Sequence, residues 1–142
     1  MKVKKLTETA VVPQIATEGS AGFDLCVDKA EDTMIFPGQT IKFPTGLAFA
    51  IPQGYAGLIF ARSGTAVKRG LRPSTCVSVI DSDYRGEVGL PVYNDSDKSQ
   101  TIHPYERVAQ MVIVPVFTPE IEIVDELDNT ERGSAGFGST GR

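Results

Sequence analysis

Four short segments place Asp, Arg, Ser, Gly and Tyr where packing alone does not call for them. In residues 21–25 (AGFDL), Asp24 interrupts an apolar run. The structural account of such a carboxylate is a pair with a nearby Arg at a strand edge, because a charge leaving water needs a partner. In residues 61–64 (ARSG) an apolar run meets a helix start. The unpaired N–H groups and positive dipole end of such a junction let Arg62, Ser63 and Gly64 grip phosphate oxygens, although an ordinary capped helix explains the same residues. Residues 79–86 (VIDSDYRG) set two acids and an aromatic at a tight turn. Asp81 can deprotonate water as a general base and Tyr84 offers a flat face to a sugar or base; an Asx turn with solvated acids is the alternative. In residues 106–113 (ERVAQMVI) Arg107 and Gln110 lie three apart. Strand alternation puts them on opposite faces, which leaves one of the two to a structural role.

These segments need a scaffold of strands. Short β-branched or alternating apolar runs occur at 23–27, 46–51, 55–60, 77–80, 87–93 and 107–114. Turn chemistry separates them at 37–38 (PG), 52–54 (PQG), 81–83 (DSD) and 94–97 (NDSD). With 14 Gly, 9 Pro and no long periodic apolar stretch, an all-β sandwich, jelly roll or barrel is expected. One helix is expected over 63–69 (SGTAVKR), with Ser63 suited to its N-cap and Gly70 to its C-terminal stop. At 142 residues the chain fits one domain, with a core over 1–127 and a glycine-rich segment over 128–142. The composition of that last segment is one of disorder, and Phe137 is the aromatic exception within it.

Composition also excludes classes of function. The net charge is −4 and no basic run is present, so polynucleotide binding lacks its electrostatic drive. No stretch reaches the ~20 apolar residues of a bilayer span, and MKVKKLTETA lacks a signal-peptide core, so a cytoplasmic or otherwise intracellular protein is expected. The Walker pattern of a P-loop does not occur. Cys26, Cys76 and His103 cannot assemble a recurring zinc spacing. Both cysteines read as small buried apolar residues and His103, next to Pro104, as an exposed loop residue.

Taken in order, the four segments and the tail resemble the five motifs of the homotrimeric dUTP pyrophosphatase family. The matches are AGFDL at 21–25, ARSGTA at 61–66, VIDSDYRGE at 79–87, ERVAQM at 106–111 and RGSAGFGST at 132–140. The resemblance implies a distorted jelly-roll β-barrel with one short helix, assembled as a homotrimer with active sites at subunit junctions. It implies Mg²⁺-assisted hydrolysis of dUTP to dUMP and pyrophosphate, keeping uracil out of DNA and supplying dUMP for thymidylate synthesis. Asp81 then resembles the base that activates the attacking water, and Tyr84 the ring that packs on deoxyribose. Arg62, Ser63, Gly64 and Gln110 match phosphate-contacting positions, and Asp24 supports the metal and water network indirectly. Uracil is read largely through backbone groups of the hairpin that holds Thr75 and Val79. In the tail, Phe137 is similar to the aromatic that stacks on uracil, and Arg132, Gly138, Ser139 and Thr140 match a γ-phosphate clasp. The chain departs from the pattern at Ser78 and Ala135, where glycine is usual, and at Thr75, where some members have Asn. Ser78 gives up the tolerance for positive φ, and Ala135 bears on how the tail closes.

Two other readings have discriminating features. A dCTP deaminase of the same fold needs a glutamate three residues before Asn94, where this chain has Pro91, a residue with no acid–base group. A nucleotide-gated regulatory binding protein of the family usually carries an insertion, and none separates the third and fourth motifs. Deletion from Arg132 onward is expected to leave a folded assembly with poor catalysis. Gel filtration and a turnover assay check this, and unfolding of the truncated chain would make the tail a structural strand instead.

Overall fold

A computed structural model describes residues 1–136. Eleven strands and one helix are found among them, in the order β1 (Lys2–Lys5), β2 (Phe23–Cys26), β3 (Thr33–Ile35), β4 (Thr40–Phe43), β5 (Leu47–Ala50), β6 (Tyr55–Ala61), α1 (Ser63–Arg69), β7 (Leu71–Pro73), β8 (Ser78–Ile80), β9 (Leu90–Asn94), β10 (Gln100–Ile102) and β11 (Arg107–Pro115). The class is all-β, as expected. The strands fall into a four-stranded sheet β2-β11-β6-β8, a three-stranded sheet β4-β9-β7 and the pairs β1-β5 and β10-β3, and do not close into one continuous barrel. Every pairing is antiparallel.

All four sheets share one core. Leu25, Ile35, Phe43, Leu47, Phe49, Ile59, Leu71, Leu90, Ile102 and Met111 belong to a single buried cluster, with at least one residue from each sheet. Phe23 stacks on Phe49 with ring centroids 6.0 Å apart, at the end of β2 that leads to Asp24. The six strands expected from alternation are present, each within a few residues of its expected bounds. Those not expected are β1, β3, β4, β7 and β10, of three or four residues each. They carry too few apolar positions to show a period, and their partners define them. β1 (KVKK) is exposed throughout and is held by its ladder to β5.

The helix occupies the expected span, but its N-cap is Arg62, which makes no side-chain cap bond; Ser63 is already helical. Gly70 ends the helix in the left-handed region at φ 64°, and its N–H donates to the Ala66 carbonyl. The turn at 94–97 is built on Asn94, which is fully buried. Its amide donates to the carbonyls of Ile35 and Lys98, at 2.9 and 2.8 Å, and its Oδ1 accepts from the Ser96 N–H and hydroxyl. Cys26 is half-buried and Cys76 exposed, which corrects the buried expectation. Cys76 occupies a left-handed turn position at φ 62°, where the backbone reverses at the surface. His103 is exposed as expected, with its Nδ1 2.9 Å from an Asp32 carboxylate oxygen.

Gly46 is a crowded backbone position that is also left-handed. It has φ 65°, and an added Cβ would lie 2.5 Å from both the Asp28 carboxylate and the Thr7 hydroxyl. Gly46→Ala is expected to destabilise the fold by roughly 1–3 kcal/mol, the range for a non-glycine residue in a strained conformation. A shift in the midpoint of chemical denaturation would register this, and an unchanged midpoint would contradict it.

Candidate active site

Many of the residues singled out by type and spacing line one of two places, at opposite ends of β6. The first is an open cavity of about 410 Å³ lined by Asp24, Arg62, Ser63, Gly64, Thr65, Lys68, Arg69, Glu106, Arg107 and Gln110. Four cationic side chains there face two carboxylates, and the first turn of α1 contributes no acid. Its chemistry is that of a receptor for a multiply charged anion.

Asp24 organises this cavity. Its Oδ1 accepts from Arg62 Nε at 2.8 Å and its Oδ2 from Arg107 Nη1 at 3.3 Å. Arg62 also donates through Nη1 to the Arg107 carbonyl at 3.1 Å. Asp24 is the strand carboxylate paired with arginine that was expected, and it lines the anion cavity. Gln110 stands opposite Asp24 in the β11–β2 ladder, and its amide donates to the Ala61 carbonyl at 3.1 Å, fixing the junction between β6 and α1.

The expectation that Arg107 and Gln110 face opposite ways is corrected. The register pairs Arg107 with Cys26, then Ala109 with Leu25 and Gln110 with Asp24, so Val108 is an extra residue in β11. Such a β-bulge reverses the alternation. Cys26 and Asp24 share a face of β2, so their partners Arg107 and Gln110 share it too. Burial pushes the Cys26 thiol above its ordinary range, against the pull of Arg107, and keeps it in the neutral form.

Lys68 and Arg69 were not foreseen in the cavity. The signal for Lys68 was available, because it follows Gly64 by four residues on the expected helix and therefore shares its face. Arg69 ties α1 to the following strands, donating to Gln100 Oε1 at 3.3 Å and contacting Glu106 and the Thr101 carbonyl.

The second place is a groove of about 800 Å³ lined by Ile51, Gln53, Tyr55, Ala56, Val79, Asp81, Ser82, Asp83, Arg85, Val116 and Thr118. Asp81 leaves β8 into the expected turn, where the Tyr84 N–H donates to the Asp81 carbonyl at 3.2 Å. Arg85 braces the same turn, donating to the carbonyls of Ser82 and Tyr84 at 2.7 and 2.9 Å. Tyr84 is 44 % exposed. Ile80 lies opposite Gly57 of β6, whereas Arg62 follows the other end of that strand. At ~3.3 Å per residue the five steps from Gly57 to Arg62 span about 16 Å, so one chain does not bring Asp81 to the Arg62 cavity.

Thr75 and Val79 do not flank the expected hairpin, because β7 and β8 lie in different sheets; the turn that joins them is closed by a 2.7 Å bond between the Thr75 and Ser78 hydroxyls. Ser78 lies in β8, paired with Ile59, and needs no positive φ; the left-handed residue of this turn is Cys76. In the tail, Arg132 Nε donates to the Ala135 carbonyl at 3.0 Å, and Gly133, not Ala135, is left-handed. Arg132 is exposed and far in sequence from either cavity's lining. Phe137, Gly138, Ser139 and Thr140 lie outside the described residues.

Known proteins similar to this chain over most of its length fall in one family. The dUTPase family model matches residues 8–141. The deoxyuridine 5′-triphosphate nucleotidohydrolase of Desulfitobacterium hafniense is 48% identical over 131 residues, covering 92% of this chain and 87% of that protein. The protein of the same description from Nautilia profundicola is 46% identical over 142 residues, covering 100% and 99%. Among solved structures, a variant dUTPase of Staphylococcus bacteriophage 80alpha with dUpNHpp superposes with a TM-score of 0.89 at 32% identity, covering 99% of this chain and 98% of that one. A variant dUTPase of phage phi11 of S. aureus, described as revealing the coordination of a structural Mg(II) ion, has a TM-score of 0.78 at 29% identity, covering 88% and 96%. The chain belongs to the dUTPase family.

Arg62→Ala is expected to weaken binding of inorganic triphosphate by about 1–3 kcal/mol, the worth of a charge-assisted contact. The same change should move folding stability by less, because the pair with Asp24 remains in contact with water. Calorimetric titration and thermal melting separate the two effects, and equal triphosphate affinity in the variant would remove Arg62 from the anion site.

Proposed function

We propose that the protein hydrolyses dUTP to dUMP and pyrophosphate inside the cell, as a homotrimer whose sites combine residues of different copies. The observation that carries this reading is the cavity in which Arg62, Arg107, Gln110 and the start of α1 converge around the Asp24 carboxylate. A cavity with excess cationic charge suits a triphosphate and the negative charge that grows on a departing pyrophosphate. Arg62, Ser63, Gly64 and Gln110 are the phosphate-contacting residues of this reading.

Asp81 is the general base. It takes a proton from a water as that water's oxygen attacks the α-phosphorus, while the bond from the α-phosphorus to the bridging oxygen breaks and its electrons leave with pyrophosphate. General-base help of this kind is typically worth a factor of about 10² to 10⁴. Tyr84 packs on the deoxyribose, and backbone groups near Thr75 and Val79 receive uracil. Arg132, Phe137, Gly138, Ser139 and Thr140 close over the nucleotide from another copy.

The separation of Asp81 from the Arg62 cavity supports shared sites, because one chain alone presents the base and the anion receptor about a strand's length apart. Association also has apolar surface to cover. Phe117, Ile121, Ile123 and Leu127, beyond β11, are each at least 85% exposed.

The donor set fits a magnesium ion held by phosphates and water. Among the described residues no three His, Cys, Asp or Glu side chains cluster, and both Asp24 oxygens are engaged by guanidinium groups. Asp24 would face the ion's waters, of which Mg²⁺ usually keeps several, while the substrate's phosphates would ligate it. The chemistry such an ion supplies when bound is neutralisation of charge along the polyphosphate.

Purified protein is expected to release pyrophosphate from dUTP with Mg²⁺ and to leave dCTP and UTP nearly untouched, with products identified by chromatography. Comparable turnover of dCTP with release of ammonia would favour deamination. Asp81→Asn should retain nucleotide binding and lose activity by about 10²-fold or more, whereas near-normal turnover in that variant would take the base role from Asp81.

A further inference from the structure

Tyr84 folds its ring back over Gly86. A Cβ added at Gly86 would lie 2.4 Å from the Tyr84 hydroxyl oxygen, 2.6 Å from Cζ and 3.0 Å from Cε2. No left-handed φ accounts for glycine at this position. The aromatic ring itself occupies the space where a side chain would start. The Tyr84 hydroxyl then donates to the Glu87 carbonyl at 3.0 Å, so the ring fits the space left by glycine and is held at its tip.

The residue that holds the tip is itself anchored away from the turn. Glu87 Oε1 accepts from the Gly46 N–H at 2.7 Å. Val88, next along, donates to the Leu47 carbonyl at 2.9 Å and accepts from the Thr45 hydroxyl at 2.6 Å. Gly46 is immobilised by its crowded left-handed position and by the Leu6 N–H, which donates to its carbonyl at 2.7 Å. The orientation of Tyr84 is thus set by a frame that includes β5 and the end of β1, and Glu87 lines neither cavity.

We propose that Gly86 and Glu87 are positioning residues that fix the Tyr84 ring and thereby set the selection of deoxyribose over ribose. This rests on the reading of Tyr84 as the sugar-facing residue. Exclusion of one hydroxyl by a ring works only when the ring cannot yield, and a displacement of about 1 Å is enough to change rates by orders of magnitude. A methyl group at position 86 forces such a displacement. Loss of the Glu87 side chain frees the carbonyl that holds the phenol, while a glutamine there still offers an oxygen to the Gly46 N–H.

The test compares kcat/KM for dUTP and for UTP in Gly86→Ala, Glu87→Ala, Glu87→Gln and, as a control, Tyr84→Ala, with melting curves to establish folding. Gly86→Ala is expected to lower the dUTP/UTP ratio by roughly tenfold or more. Glu87→Ala should lower it less and in the same direction, and Glu87→Gln should restore it to near the parent value. A collapsed ratio in Tyr84→Ala together with an unchanged ratio in folded Gly86→Ala overturns the positioning role. An unchanged ratio in Tyr84→Ala overturns the sugar reading of that ring, and the proposal with it. Should Gly86→Ala not fold, equal ratios in the two Glu87 variants overturn the proposal by themselves.

Discussion

One carboxylate and two guanidinium groups hold the anion cavity in shape, and much of the rest of the fold serves to bring them together. Asp24 comes from β2, Arg62 from the end of β6 and Arg107 from the start of β11, three strands of the same sheet. Without the acid, the arginines would repel one another and swing into water; without the arginines, a half-buried charge would stand alone. The arrangement keeps positive charge concentrated yet pre-aimed before any ligand arrives. Less ordering is then left for the ligand to impose.

The bulge in β11 is what makes this geometry possible, and it is also what the sequence concealed. Period-two alternation placed Arg107 away from Gln110, and nothing in ERVAQMVI marks Val108 as the extra residue. The strands that read clearly were those with enough apolar positions to display a period, such as β6 and β11. Those of three or four residues, such as β3 and β10, exist because a partner lies alongside. Helix α1 was legible from its composition and from Gly70, although its cap fell one residue earlier than the hydroxyl at Ser63 suggested. The departure from glycine at Ser78 asks nothing of the backbone, since the left-handed residue nearby is Cys76, and near Ala135 it is Gly133.

The motif residues were easier to find than to connect. Five of them, Asp24, Arg62, Ser63, Gly64 and Gln110, share a cavity, and the sequence order 24, 62–64, 110 gives no hint of that until β2, β6 and β11 are paired. Asp81 and Val79 belong elsewhere on the same sheet because β8 joins the opposite side of β6 from β11. Tyr84 depends on a third region, through Glu87 and Gly46. Spacing in a sequence records chemistry well and distance poorly, because antiparallel pairing reverses direction at every turn.

The first strand illustrates a different economy. β1 binds β5 through its main chain and turns every side chain to solvent. Its identity is therefore nearly free to drift, since a ladder of amides asks little of the side chains attached to it beyond avoiding proline. Its presence is not free, because β5 has no other neighbour in its sheet and would be left as a bare edge. The opening residues can thus diverge widely between relatives and still be indispensable, a combination that a count of identical positions would misjudge.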